Sequence, residues 1–463
     1  MRHVRWLMFS LVIITTACST LPPIEDTEAI GHILSIDRDG VHVIIEADKP
    51  IVKNPGLEKA SMAASNFDPI FKGISAYPPN ENGEIEVLIY IHGGLNTQKT
   101  AQERVLEKYK LIKYAQSENK YPIFINWRSG PFTTYGDHLY RIRHGDIDKW
   151  AKGTAPLYFF TDTGITFATA PKAWAVSALH SYDATFFRDD DYLEPFKGGV
   201  DGILYTGSEE DYSNALRATN WIVTGIPKIF TTPFVYTLGR PAWDMMLRRT
   251  NTPFYTPADF KIDDQEQFFE TSLKPGTGAL YRFLLELEQK IKTDNLKVKI
   301  TLIGHSMGAI IVNKMLNLNI DLPYDNIVHM ASADSINNLL EHVVPYLIDK
   351  PEVNFYSLSL HPENEDRERN AWGFVPSGSL LVWVDEMYST PETLLSKRSG
   401  RWENMRRAVP LIPANARRNM HFKIFGLYND FTQDVDGNEF VVQPQKHGDF
   451  GDMRFWLRET WWE

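Results

Sequence analysis

The stretch from Val298 to Leu316 constrains this chain more than any other. Val298–Ile303 (VKITLI) reads as a buried strand, and it runs straight into Gly304-His305-Ser306-Met307-Gly308. The residues that follow, AIIVNKMLN, have the apolar periodicity of a helix. G-x-S-x-G is a weak signal alone, but strand, tight turn and helix in that order give it weight. A serine in such a turn must accept a strained backbone, and the flanking glycines leave room where a side chain would clash. The turn also sets the Met307 N–H at a helix N-terminus, where it can donate to an oxyanion. The plain alternative is a serine that caps a helix and does no chemistry.

The rest of the pattern supplies a sheet for that turn. Glu84–Ile91 (EIEVLIYI) and Tyr121–Trp127 (YPIFINW) read as strands with a helix across 98–116 between them, the order a parallel sheet with crossover helices requires. Asn326–Ala331, Val353–Leu360 and His421–Leu427 add three more strands, and Gly278–Lys292 a helix. Alternation stops between about 128 and 275, which is rich in aromatics, Gly and Pro and reads as an inserted cap with helices near 210–230 and 238–250. A second, polar insertion spans 367–420. Asp39-Gly40 predicts a small N-terminal β-hairpin at the domain's edge, and Asp436-Gly437 a late one.

Several residues outside the turn could complete an acyl-transfer site. His92-Gly93-Gly94 ends the first core strand, and a Gly-rich turn there can bring a second oxyanion N–H, assigned to Gly94 with Leu95 next. Of thirteen histidines, His447 lies in a loop just after the last strand and hairpin, where a base could reach Ser306. His361 and His421 are the alternatives. The carboxylate that would orient the base follows a strand beyond Ser306: Glu363 first, then Glu365, both in HPENED, or Asp334 in ASADS.

Charge and composition narrow the partners. A net charge of −11 over 463 residues, with no basic run outside the extreme N-terminus, argues against nucleic acid. No phosphate loop, dinucleotide fingerprint or zinc spacing is present, so no cofactor and no metal are expected. Arg2 and Arg5 precede an apolar run, Trp6–Ile14, too short to span a bilayer, and then Thr15-Thr16-Ala17-Cys18. Cys18 is the sole cysteine. This segment resembles the signal of a bacterial lipoprotein, which implies cleavage before Cys18, lipidation of Cys18, and a tether over 19–28 leading to a domain from 29 to 463. The expected location is then the cell envelope, anchored to a membrane.

The ordered set YIHGG, then strand–GHSMG–helix, then a late HGDF resembles the α/β-hydrolase superfamily. The resemblance covers roughly 84–127 and 278–450. It implies an α/β fold with a mainly parallel, doubly wound sheet, and a Ser306–His447–acid triad cleaving esters without a cofactor. The expected activity is that of a membrane-anchored, esterase- or lipase-like serine hydrolase acting on an ester or lipid substrate. Two other readings stay open: a non-catalytic envelope lipoprotein using the fold as a scaffold, and an acyltransferase with the same triad.

Overall fold

The computed structural model describes residues 29–43, 67–108, 110–143, 146–148, 150–186, 202–207, 214–255, 278–368, 375–435 and 437–462. The signal, Cys18 and the tether expected at the N-terminus lie outside the described residues.

Eight strands form one sheet: β1 (Ile33–Ile36), β2 (Ile85–Ile91), β3 (Lys120–Trp127), β4 (Ile203–Thr206), β5 (Val298–His305), β6 (Tyr324–Met330), β7 (Asn354–Ser359) and β8 (Met420–Phe425). Their order is β1-β3-β2-β5-β6-β7-β8-β4. The pairs β1/β3, β2/β3, β6/β7, β7/β8 and β8/β4 are all parallel. The fold is therefore α/β, with helices flanking a mainly parallel sheet. Nearly every residue of β2, β6 and β7 is buried, and this double-sided burial is why these strands read as continuous apolar runs rather than alternating ones.

The chain divides into two compact units. The first comprises Met1–Tyr158, Asp244–Thr301 and Leu318–Pro323. It holds β1, β3, β2 and the start of β5. Its helix Ala279–Thr293 buries Leu280, Phe283, Leu284 and Leu287 at i, i+3, i+4 and i+7, an amphipathic stripe facing the core. Asp39-Gly40 does form a turn, with Gly40 at φ +81° and its amide donating to the Asp37 carbonyl at 3.2 Å. The hairpin expected at the domain's edge is short, with the Asp37 amide donating to the Val41 carbonyl and the Val43 amide to the Ser35 carbonyl, each at 2.9 Å, and β1 at one end of the strand order. Its first arm is β1, a strand of the central sheet, and the return is a single antiparallel bridge between Ile36 and His42.

The second unit comprises Phe159–Trp243, Leu302–Asn317 and Tyr324–Glu463. Here β5 ends, the helix Gly308–Leu316 leads to β6, and helical turns between Ile336 and Asp349 lead to β7. The region read from sequence as lacking sheet contributes β4, which pairs with β8. The two helices expected near 210–230 and 238–250 are one, Asn214–Asn251, and a second long helix covers Ala151–Phe186. After β8, Asp430–Gln433 and Glu439–Gln443 form the late antiparallel hairpin, with Gly437 at φ +80°.

Candidate active site

Ser306 sits directly after β5 with φ +53°, a left-handed conformation that costs a non-glycine residue on the order of 1–3 kcal/mol. The surroundings enforce it. Its amide donates to the Met330 carbonyl at the end of β6, 2.8 Å away, and its own carbonyl accepts from Ala333 at 3.0 Å and Ala309 at 3.1 Å. Gly304 is required for the same reason. A Cβ there would lie 2.7 Å from the Ala309 nitrogen and 2.8 Å from the Gly308 carbonyl carbon. Met307 is the N-cap of the helix Gly308–Leu316, so its amide stands at the positive end of that helix dipole.

His447 reaches this serine. Its Nε2 lies 2.8 Å from the Ser306 Oγ. Ser306 is 1% exposed and His447 7%, and burial alone pulls the imidazole down to about 4. The loop that delivers it is held by Asp449, whose carboxylate accepts the amides of Gln445 at 3.0 Å and Lys446 at 2.9 Å. The Gln445 side chain donates to the Gly426 carbonyl just beyond β8, at 2.8 Å. The His447 backbone is gripped at both polar atoms. The His305 Nε2 donates to its carbonyl at 3.2 Å, and its amide donates to the Glu368 Oε2 at 2.8 Å. The His447 Nδ1 meets no hydrogen-bond partner among the described residues.

The other candidate histidines have structural duties. His361 caps the helix Pro362–Arg367, its Nδ1 accepting the Glu363 amide at 3.1 Å. His421 lies in β8, with its ring stacked on Tyr356.

None of the three carboxylates singled out from sequence hydrogen-bonds to His447. Glu363 is ion-paired with Arg367, one helical turn along the same short helix. Glu365 is buried, neither carboxyl oxygen has a hydrogen-bond partner among the described residues, and desolvation pushes it up to about 8. Asp334 spends its carboxylate on Asn313 and Asn338, each at 2.7 Å, and on the Ser335 amide at 2.8 Å. The carboxylate that does touch His447 is Glu368, three residues past Glu365, at the C-cap of the helix. No spacing rule marked it, because it follows the expected loop and contacts a backbone amide. Asp449 was more legible, since an acid three residues into a turn is a usual capping position.

The His-Gly-Gly turn follows β2 in the first unit. The Leu95 amide donates to the Ser129 carbonyl at 3.1 Å, so that N–H is already spent and the reading of Leu95 as an oxyanion donor is corrected. Gly94 precedes it in the same turn. His92 ties this turn to β3: its Nδ1 donates to the Gly93 carbonyl at 2.8 Å and its Nε2 accepts from the Trp127 amide at 3.3 Å. Among the described residues no group of His, Cys, Asp and Glu is arranged to hold a metal ion. No family model, no curated protein and no solved structure matches this chain.

Proposed function

We propose that the protein is a serine hydrolase that cleaves carboxylic esters. The observation that carries this is the pairing of a buried serine at positive φ with an imidazole nitrogen 2.8 Å from its hydroxyl oxygen. The Ser306 Oγ attacks the ester carbonyl carbon as its proton passes to the His447 Nε2. The tetrahedral intermediate collapses, the C–O bond to the alcohol breaks, and the alcohol leaves with that proton. Water then repeats the sequence on the acyl-serine and releases the acid. The Met307 amide, at the positive end of its helix, takes the oxyanion.

For the acid we assign Glu368. Its carboxylate already accepts the His447 backbone amide at 2.8 Å, and it is the one carboxylate with a hydrogen bond to that residue among the described residues. Glu365 is a poorer choice, since a carboxyl titrating at about 8 is mostly protonated at neutral pH and cannot stabilise an imidazolium. The location follows the sequence reading: a lipid on Cys18 would tether the protein to a membrane, and Cys18→Ser should release it to a soluble fraction.

A fluorophosphonate probe tests the assignment. Labelling of the folded protein that vanishes in Ser306→Ala supports it. Labelling unchanged by that substitution overturns it. The absence of any labelling favours the scaffold reading, to which the unengaged His447 Nδ1 lends some weight. Capture of the acyl group by added alcohols would redirect the reading to an acyltransferase.

A further inference from the structure

The helix Ala151–Phe186 turns its large and small residues the opposite way from a helix that packs in water. Thr166, Ala170, Ala173 and Ser177, spaced i, i+4, i+7 and i+11, are all buried. They form one buried face, and Ala173 on it meets the neighbouring helix Asn214–Asn251. Ala173 packs with Tyr236 and Met387, and the Thr169 and Thr237 hydroxyls are 3.1 Å apart. Phe160, Phe167 and Trp174 recur every seven residues along one edge of that contact, within an arc of about 40° at ~100° per residue; Phe167 meets Phe234 edge-on and the Trp174 indole donates to the Ile229 carbonyl at 2.8 Å, yet all three rings stay exposed. Phe160 is 66% exposed, Phe167 69%, and Phe230 on the neighbouring helix 70%.

Aliphatic and aromatic side chains normally face the core, with the polar face to water. Small residues at the helix contact and bulky apolar ones outside is the arrangement of helices whose outer solvent is lipid. Charge agrees: between Leu157 and Tyr182 only Asp162 and Lys172 are charged. No helix of the described residues is long and apolar enough to cross a membrane. A helix bearing aromatics on one side fits the interface plane instead, rings at the headgroup–acyl boundary.

We infer that this aromatic face, carried by Phe160, Phe167, Trp174 and Phe230, docks on the surface of a phospholipid bilayer. The chain's length outside the described fold supplies the partner. Ten residues, 19–28, join Cys18 to Ala29, a reach of no more than about 40 Å. The lipid anchor proposed above therefore holds the domain beside a bilayer. That argument rests on the anchor; the inverted pattern of the helix does not. A second copy is a poorer occupant, since it would join two chains of net charge −11.

Site-resolved fluorescence tests this without reference to catalysis. Cys18→Ser removes the one native thiol. Phe160→Cys, Phe167→Cys and Phe230→Cys, made singly on that full-length background, then carry an environment-sensitive NBD probe. Val435→Cys and Leu411→Cys serve as references, both positions being exposed and distant in sequence from these helices. The apolar N-terminus can bring any of these chains to a vesicle without deciding which site enters it. With vesicles of phosphatidylethanolamine and phosphatidylglycerol, the three helix probes should brighten severalfold, shift to the blue and be quenched by bromine-labelled acyl chains. The references should stay as they are in buffer. Helix probes that ignore vesicles, or respond no more than the references, overturn the inference. A blue-shifted probe in buffer alone also overturns it. If that signal grows with protein concentration, a second copy covers the face; if it does not, the chain itself does.

Discussion

The amide of His447 donates to the Glu368 carboxylate at 2.8 Å, while the Nδ1 of the same residue meets no partner among the described residues. Glu368, the acid proposed above, thus already holds the backbone of the residue whose ring a triad would need it to orient. Glu368→Gln should lower kcat for a p-nitrophenyl ester by about 10²–10⁴-fold, because an amide stabilises the imidazolium poorly and can select the wrong tautomer. Glu363→Gln, which breaks an ion pair with Arg367, should change kcat a few-fold at most. Equal losses in the two variants would remove Glu368 from the role.

Glu365 provides a test of sign. Burial raises its folded pKa to about 8 from 4.5, so the folded state keeps a proton that the unfolded state has lost. Its contribution to stability is therefore full below about pH 4.5 and is lost as pH rises toward 8. Glu365→Gln should remove that loss, and the denaturation midpoint at pH 8 should rise relative to wild type while the two stay close at pH 5. A variant less stable than wild type at pH 8 would mean that the charged form has a partner there.

His447 behaves in the opposite sense. Its folded pKa is held down to about 4 by burial, so from pH 6.5 downward the unfolded state takes up a proton that the folded state refuses. Stability should fall through that window by about 3 kcal/mol from this residue, at roughly 1.4 kcal/mol per pH unit. His329 adds to the same limb. It is buried edge-on to Phe355, with no hydrogen bond at either nitrogen among the described residues, and is pulled down to about 3. His329→Leu should flatten the acid side of a stability–pH curve. In kinetics, the acid limb of kcat/KM should lie well below pH 6.5. The limb of kcat should sit higher once Glu368 engages the ring in the substrate complex. Coincident limbs near pH 6.5 would show that the ring is solvated in the working enzyme.

Gly304→Ala should destabilise the fold by about 1–3 kcal/mol, as overpacking against fixed backbone does. The added methyl meets the start of the helix at 2.7 Å and has no flexible neighbour to displace. Urea denaturation measures it, and an unchanged midpoint would show that the elbow is looser than its hydrogen bonds imply.

Much of the sheet was legible because its strands are buried on both faces and so stand out as unbroken apolar runs, as in IEVLIYI. The elbow was legible because a strand and a helix abut it with no spacer. The stretch from 128 to 275 was not, for a physical reason. In Ala151–Phe186 the small residues are inside and the aromatics outside, so a search for an inward apolar stripe finds none. β4 was missed because it has four half-buried residues and lies between long helices. At the site, the pairing of Ser306 with His447 was readable from motif and chain order. The Glu368 contact was not, because Glu365 and Glu368 lie on successive turns of one short segment and only tertiary packing decides which meets His447. Nor could the sequence reveal that the Leu95 amide is taken by the Ser129 carbonyl.

The left-handed backbone at Ser306 sets a conflict between durability and chemistry. Glycine adopts that conformation without the steric penalty, and the hydroxyl that justifies the strain does nothing for folding that a water could not do. A library of residue-306 variants sorted only for resistance to proteolysis would drift toward glycine and lose the nucleophile. Sorted for acyl transfer, the same library would retain serine. Under the reading proposed here, the serine persists only as long as something outside folding demands it.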